Sequence, residues 1–509
     1  MKHLKTSTIL AGVLLFSASI VQAQDLKLPD EVTLFKNVMV FDGVTDELQD
    51  LDVLVVRNKI HRVDADIPEV GTWEVEPSTQ KATRLPAASG DYSGGFTFQV
   101  QNDAGATETI EVDVTVIDGG GRTLMPGLID THTHFTHCLP GAGIPGFEIT
   151  NWQKIGAMAT VCAKEHLMNG FTTVREMGGG SVAGGLKAVI DEGYLEGPRI
   201  YPSGAYISQT TGHADFMAPE VVDQMDTNLG RLGIAIIADG PDEVRKAVRA
   251  NLGRGASQIK LMVGGGVSSL KDPLFTQQFT SEEIAAAVEA AAQFDTYVGG
   301  HVYGDADVRR AVEAGLLSVE HGQFLTDETA KVMVEKGAYL SLNLAGTSRG
   351  ILNHPVYGAV GTPPYVKVVQ FLDQAAGLKQ VLQDNPDLVV TFNTDLVFSA
   401  GEDLRRGIDF EKFQHGDFMG NFRALQNMTS NAARLMAASG KLNPYPAPLG
   451  VIEEGAYADI LLVDGNPLED LAVIGANSKW FDAPDRDQDL KTLRIIMKDG
   501  KIYKNTLGK

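Results

Sequence analysis

The strongest constraint on this chain is a rhythm that begins at Leu124. Short runs rich in β-branched residues recur eight times, each followed by an Ala-, Glu- and Leu-rich amphipathic stretch. The runs are residues 128–134, 172–177, 199–207, 258–263, 297–301, 317–320, 339–343 and 388–394, with helical partners such as 281–294 and 305–314. Strands separated by helices are free to pair in parallel, and eight such units predict an α/β fold, a (β/α)8 TIM-type barrel. The rival is an open doubly wound sheet, but no Gly-x-Gly-x-x-Gly turn follows the first strand. Two connections, 208–240 and 344–364, are longer than packing requires, and long loops in compact domains usually carry function.

The flanks have a different texture. Residues 32–41 and 52–60 read as strands on either side of an Asp-Gly turn region. Residues 71–105 interrupt them with Ser, Gly, Pro and Thr clusters around an alternating segment at 96–100, and read as an inserted β-hairpin or excursion; residues 109–117 then resume a β pattern. That pattern returns at 455–464, 492–497 and 501–503. Neither end can bury a core alone, so both are expected to pack together as one small β-sandwich. The expected division is a signal peptide at 1–23, sandwich halves at 24–122 and 441–509, and the barrel at 123–440.

The signal reading rests on basic Met1 to Lys5, an apolar stretch ending near Val21, and a small-residue cleavage site at Val21-Gln22-Ala23. A spanning helix is the alternative, but the stretch falls short of the about 20 apolar residues a span needs. The mature protein is therefore expected to be periplasmic or secreted, off the membrane. Acidic residues outnumber basic ones 65 to 43, a formal net charge of −22, and such a surface repels nucleic acid. Hydrophobic residues at 43% and charged residues at 21% match a soluble globular chain, for which a homo-oligomer is compatible. Two cysteines are too few for a disulfide scaffold or a four-cysteine zinc site, so any metal must rest on His and carboxylates.

His132 and His134 fall at the end of the first run, and side chains at i and i+2 of a strand share a face, so both imidazoles point toward the barrel mouth. In a chain with 11 histidines the pair alone reads equally well as two polar residues at a strand end. Lys260, His301, His321 and Asp395 supply context, each lying within, at or just past the end of a predicted strand, where barrel enzymes place catalytic groups. Singly they read as core histidines, a snorkelling lysine and a turn aspartate; together they argue for a site. A lysine inside a barrel strand is the informative oddity, because a lone buried ammonium costs several kcal/mol unless paired, deprotonated or modified. Reaction of its neutral amine with carbon dioxide would give an anionic carbamate able to bridge two divalent metal ions. Zinc suits this donor set, and cobalt, manganese or iron would fit the same geometry.

The segment from Leu124 to His134, these later Lys, His and Asp residues, and the closing stretch from Gly455 to Asp470 together resemble the amidohydrolase superfamily. Within it the likeness is to the imidazolonepropionase-related branch that contains binuclear metal-dependent prolidases and similar dipeptidases, over nearly the whole mature chain except 71–105. The resemblance implies that His132, His134 and Asp395 hold the more buried metal, that His301 and His321 hold the more exposed one, and that carboxylated Lys260 and a hydroxide bridge them. It also implies that Asp395 takes the proton and passes it to the leaving amine. Imidazolonepropionase itself is expected to lack the bridging lysine, so Lys260 favours the binuclear members.

Substrate contacts are expected from strand-end loops. Tyr303, two residues beyond His301, is a candidate to donate to the carbonyl or to a substrate carboxylate, and His213 to bind oxyanion or substrate, with an ordinary loop residue as the alternative for each. Arg175 and Arg349 are candidates for a carboxylate clamp, with salt bridging inside the protein as the alternative, and Cys138 lies close by without a required role. The expected activity is cleavage of the C–N amide bond of a dipeptide or N-acyl amino acid. The alternatives are hydrolysis of a cyclic amide, lactone or aryl amide at the same metals, and an inactive metal-binding protein.

Overall fold

The structure, a computed structural model, describes residues 32–68, 71–75, 82–84, 96–101, 107–112, 114–217, 227–269 and 271–508. The signal-peptide reading lies outside the described residues.

Strands from both chain ends share one seven-stranded sheet, ordered Lys501–Asn505, Leu493–Lys498, Ile460–Val463, Val114–Pro126, Val32–Val40, Gln49–Val56, Lys59–Asp64. Its centre is the parallel pair Val32–Val40 and Val114–Pro126, against which Ile460–Val463 runs antiparallel. Phe35, Val53, Ile60, Leu124, Ile460 and Ile495 bury one another in its core, so neither end could shield its apolar face without the other. The predicted strand 52–60 is in fact a tight hairpin, because Arg57 turns the chain with φ 54°. Strands Gly71–Val75, Ala82–Arg84, Phe96–Gln101 and Thr107–Val112 form a separate four-stranded sheet. The excursion thus runs past residue 105 and takes the first part of the predicted strand 109–117.

The remaining strands are all parallel. Leu128–Thr133, Phe171–Glu176 and Arg199–Pro202 make one sheet; Ala235–Ile237, Tyr206–Ser208, Ile259–Met262, Val298–Gly304, Ser318–Phe324, Tyr339–Leu342 and Val390–Phe392 make the other, in that order. The predicted run 199–207 is split because Gly204 takes φ 77° and Asn251 grips the break, accepting from Ala205 N at 3.1 Å and donating to Ala205 O at 2.8 Å. The three-stranded sheet meets the other at both of its edges: Ser257 N donates to Pro202 O at 2.7 Å, and Asp395 N donates to His132 O at 3.0 Å. Helices follow the strands, among them Ser281–Ala292, started by a reciprocal cap between Thr280 and Glu283. Their apolar faces bury Val248, Ile284, Val308 and Met333 against Leu261, Val302 and Leu340 of the strands. Parallel strands present their C-terminal ends on one rim, and His134, Tyr303 and Asp395 lie at or just past such ends.

Candidate metal centre

His132, His134 and Asp395 come together from the first strand and the turn after the last, with ligand atoms all within 4.8 Å of one another. His132 Nε2 and His134 Nε2 stand 3.0 Å apart, and Asp395 Oδ1 is 3.1 Å from His134 Nε2. Each ring is fixed from behind. His132 Nδ1 donates to Glu320 Oε2 at 2.8 Å, and His134 Nδ1 lies within 3.0 Å of the Tyr206 hydroxyl and 3.2 Å of Gly178 O. Such partners fix the tautomer and raise ligand basicity, leaving both Nε2 lone pairs to converge. Thr394, beside Asp395, donates through its hydroxyl to Asp130 Oδ2 at 2.6 Å, and Asp395 itself takes a left-handed φ of 44°. Burial pushes the Asp395 carboxyl up, but the His134 hydrogen bond and the His321 and His134 charges outweigh it and hold it at about 2.

His301 and His321 extend the cluster. Their ring centroids are 4.6 Å apart, and His321 lies 5.0 Å from His132. His321 Nδ1 donates to Asn343 Oδ1 at 2.9 Å, with the backbone strained to φ 82°. Burial lowers His321 to about 4 and His301 well below its ordinary value, so both rings are neutral ligands at pH 7. His301 Nε2 is buried with no hydrogen-bond partner, an orphan of the kind that an ion satisfies.

Lys260 is 1% exposed and its Nζ is 3.2 Å from His132 Nε2, with no ion-pair partner within 4.0 Å among the described residues. Burial lowers its pKa to about 8, with Glu320 and Asp395 opposing. An unpaired ammonium among imidazoles is an unfavourable arrangement, whereas a carbamate there would complete a donor set of four imidazoles and two anionic groups. Among the described residues, His132, His134 and Asp395 form a group able to hold a metal ion.

Tyr303 and His213 line the same cavity. Burial raises the Tyr303 phenol, which stays protonated, and its ring packs 4.8 Å from His301 and 5.1 Å from Phe371. His213 stacks on His301 at 4.0 Å, and its Nδ1 meets Ser269 Oγ at 2.8 Å and Asp272 Oδ2 at 3.1 Å. Gly266 is needed beside it, because a Cβ there would overlap the His213 ring. Lys367 fastens this loop by donating to the carbonyls of Gly266, Ser269 and Asp272 at 2.8, 2.8 and 2.6 Å.

The two candidate clamps are corrected. Arg175 is wholly buried, bidentate to Glu320 at 2.8 and 2.9 Å, and so holds the carboxylate that holds His132. Arg349 is exposed and does not line the cavity. Cys138 is disulfide-bonded to Cys162. Glu320, Asn343, Asp272 and Trp480 escaped the sequence reading. The inward alternation of Ser318 and Glu320 on one strand is a usable signal for the first; the others act across elements that only folding brings together.

Residues 123–502 match the model of the amidohydrolase family. The chain belongs to the amidohydrolase family. This amidohydrolase is 30% identical to the ochratoxinase of Aspergillus niger over 402 residues, 75% of each chain. It is 23% identical to the imidazolonepropionase of a Geobacillus strain over 415 residues, 77% of this chain and 84% of that one. Its structure is similar to that of a prolidase complexed with N-methylphosphonate-L-proline, with a TM-score of 0.74, 26% identity, and coverage of 93% of this chain and 100% of the other. Prolidase and imidazolonepropionase relatives together agree with the branch implied by the sequence.

Proposed function

We propose that this amidohydrolase is a binuclear metal-dependent hydrolase that cleaves the C–N amide bond of a dipeptide or N-acyl amino acid. In this reading the two parallel sheets close as one (β/α)8 barrel over about residues 123–440, and the two chain ends form its small β domain. The carrying observation is the convergence of His132 Nε2, His134 Nε2 and Asp395 Oδ1 beside a buried lysine that lacks an ion-pair partner among the described residues. His132, His134 and Asp395 would hold one cation, His301 and His321 the other, with Lys260 as a carbamate between them. Zinc is the proposed metal. Cations held there would make hydroxide available at neutral pH and polarise the amide carbonyl.

The protein's own groups do the rest. Asp395, ionised near neutrality, is placed to accept a proton and to return it to the departing amine. Tyr303 keeps its proton and can donate to the carbonyl oxygen, while His213 lines the same cavity. We also read the protein as exported to the periplasm or beyond, a reading supported by its N-terminal sequence and by the disulfide, a bond that persists in oxidising compartments.

Purified protein is expected to carry about two divalent metals per chain. Lys260→Ala should abolish amidase activity, with partial recovery on adding a small carboxylic acid. Full activity in Lys260→Ala with a single bound metal would sink the reading.

A further inference from the structure

The segment between the turn Leu471–Ile474 and the strand Leu493–Lys498 belongs by sequence to the end sheet, yet it crosses to the mouth of the catalytic cavity. It is docked on the helix Glu402–Met419, which follows the last parallel strand. Asn477 N donates to Asp409 O at 3.0 Å, Arg486 pairs with Asp409 at 2.9 Å, Arg406 pairs with Asp485 at 2.7 Å, and Arg405 donates to Arg486 O at 3.1 Å. This grip presents Trp480 to the cavity, with its indole stacked on Phe410 at 5.3 Å and on Phe481 at 4.6 Å. Ile351, Tyr357, Val368 and Leu396 complete an apolar wall beside it. No arginine lines the cavity among the described residues, and its one lysine is Lys260.

We propose that this strap is a specificity element, and that Trp480 with its apolar wall seats a bulky aromatic or aliphatic group carried by the substrate next to the amide. The proposal rests on the amide-hydrolase reading. A wall of this kind discriminates by apolar contact area.

The test compares kcat/KM of the metal-reconstituted enzyme for N-naphthoylglycine, N-acetylphenylalanine and N-acetylglycine. Trp480→Ala should reduce the preference for the better bulky compound over N-acetylglycine about tenfold or more, and Trp480→Phe should recover most of it. Trp480 also packs against the helix, so a second variant fills the wall without removing packing. A Cβ at Gly346 meets only Phe371, at 3.9 Å, and Gly346→Leu should lower the same preference. An unchanged preference in both variants overturns the proposal. Should no amide be turned over, the amide reading itself has failed, and titration calorimetry with N-naphthoylglycine then decides on the strap. Binding weakened about tenfold by Trp480→Ala supports it, and equal binding refutes it.

Discussion

At the scale of single residues, the centre depends on side chains that never reach the cavity. Glu320 orients His132 and is itself held by Arg175 and by the Ser318 hydroxyl at 2.6 Å. Glu320→Gln keeps the shape and weakens the acceptor, so metal affinity should fall about 10–100-fold, read by competition against a chelator. An unchanged affinity would mean the ring is fixed by packing alone. Asp272 offers a pH-dependent test. Burial pushes its carboxyl up, but the His213 charge and hydrogen bond and the Lys367 ammonium hold it at about 2, against an ordinary 3.8. A carboxyl depressed on folding adds stability above the unfolded value and loses it as pH falls toward the folded one. Between pH 4 and pH 2, therefore, urea unfolding of metal-stripped protein should show a loss of about 2 kcal/mol that Asp272→Asn lacks. The proposed ligands were legible because strands and their ends display them in sequence. Glu320, Asn343 and Asp272 were not, because each acquires its role from a partner on another strand or loop.

At the scale of elements, periodicity located the parallel strands but not their breaks. The run 199–207 looked continuous because its β-branched and aromatic content conceals one left-handed glycine, and 52–60 concealed a turn at an arginine. Both are backbone decisions that composition does not record. The disulfide is another cross-element feature: it ties the loop after the first strand to the helix Trp152–Met168, across a sequence separation of 24. That loop carries His137, whose ring packs 5.2 Å from His134, so the staple steadies the region behind a proposed ligand. Replacing both cysteines with serine should cost about 3 kcal/mol, read as a lower urea midpoint, and reductant should give the same shift in the parent protein. A shift with reductant in the double variant would point to some other cause.

At the scale of the whole molecule, the expectation that both ends share one β unit was readable from their texture, because each had too little apolar surface to fold alone. Sequence did not reveal how tightly that unit is joined to the parallel strands. Leu128, Phe171 and Val174 of the parallel strands share one buried cluster with Met125, Leu461, Val463 and Ile496 of the end sheet, so the two regions have a common core. An ion-pair clasp lies across the same boundary: Arg199, on the third parallel strand, meets Asp459 at 3.1 Å and Asp499 at 2.7 Å, and its guanidinium rests 3.9 Å from the Tyr457 ring. Arg199 and Asp459 are 3% and 4% exposed, so removing the cation strands a carboxylate away from water. Arg199→Ala should therefore destabilise the protein by about 3–5 kcal/mol, far beyond the effect of a surface pair. The two regions should still unfold in one transition, since their shared apolar core remains. Urea unfolding followed by both circular dichroism and Trp fluorescence checks this. A loss below about 1 kcal/mol would reduce the clasp to a surface-type contact, and two separated transitions would show that the ion pairs, and not the common core, make the molecule cooperative.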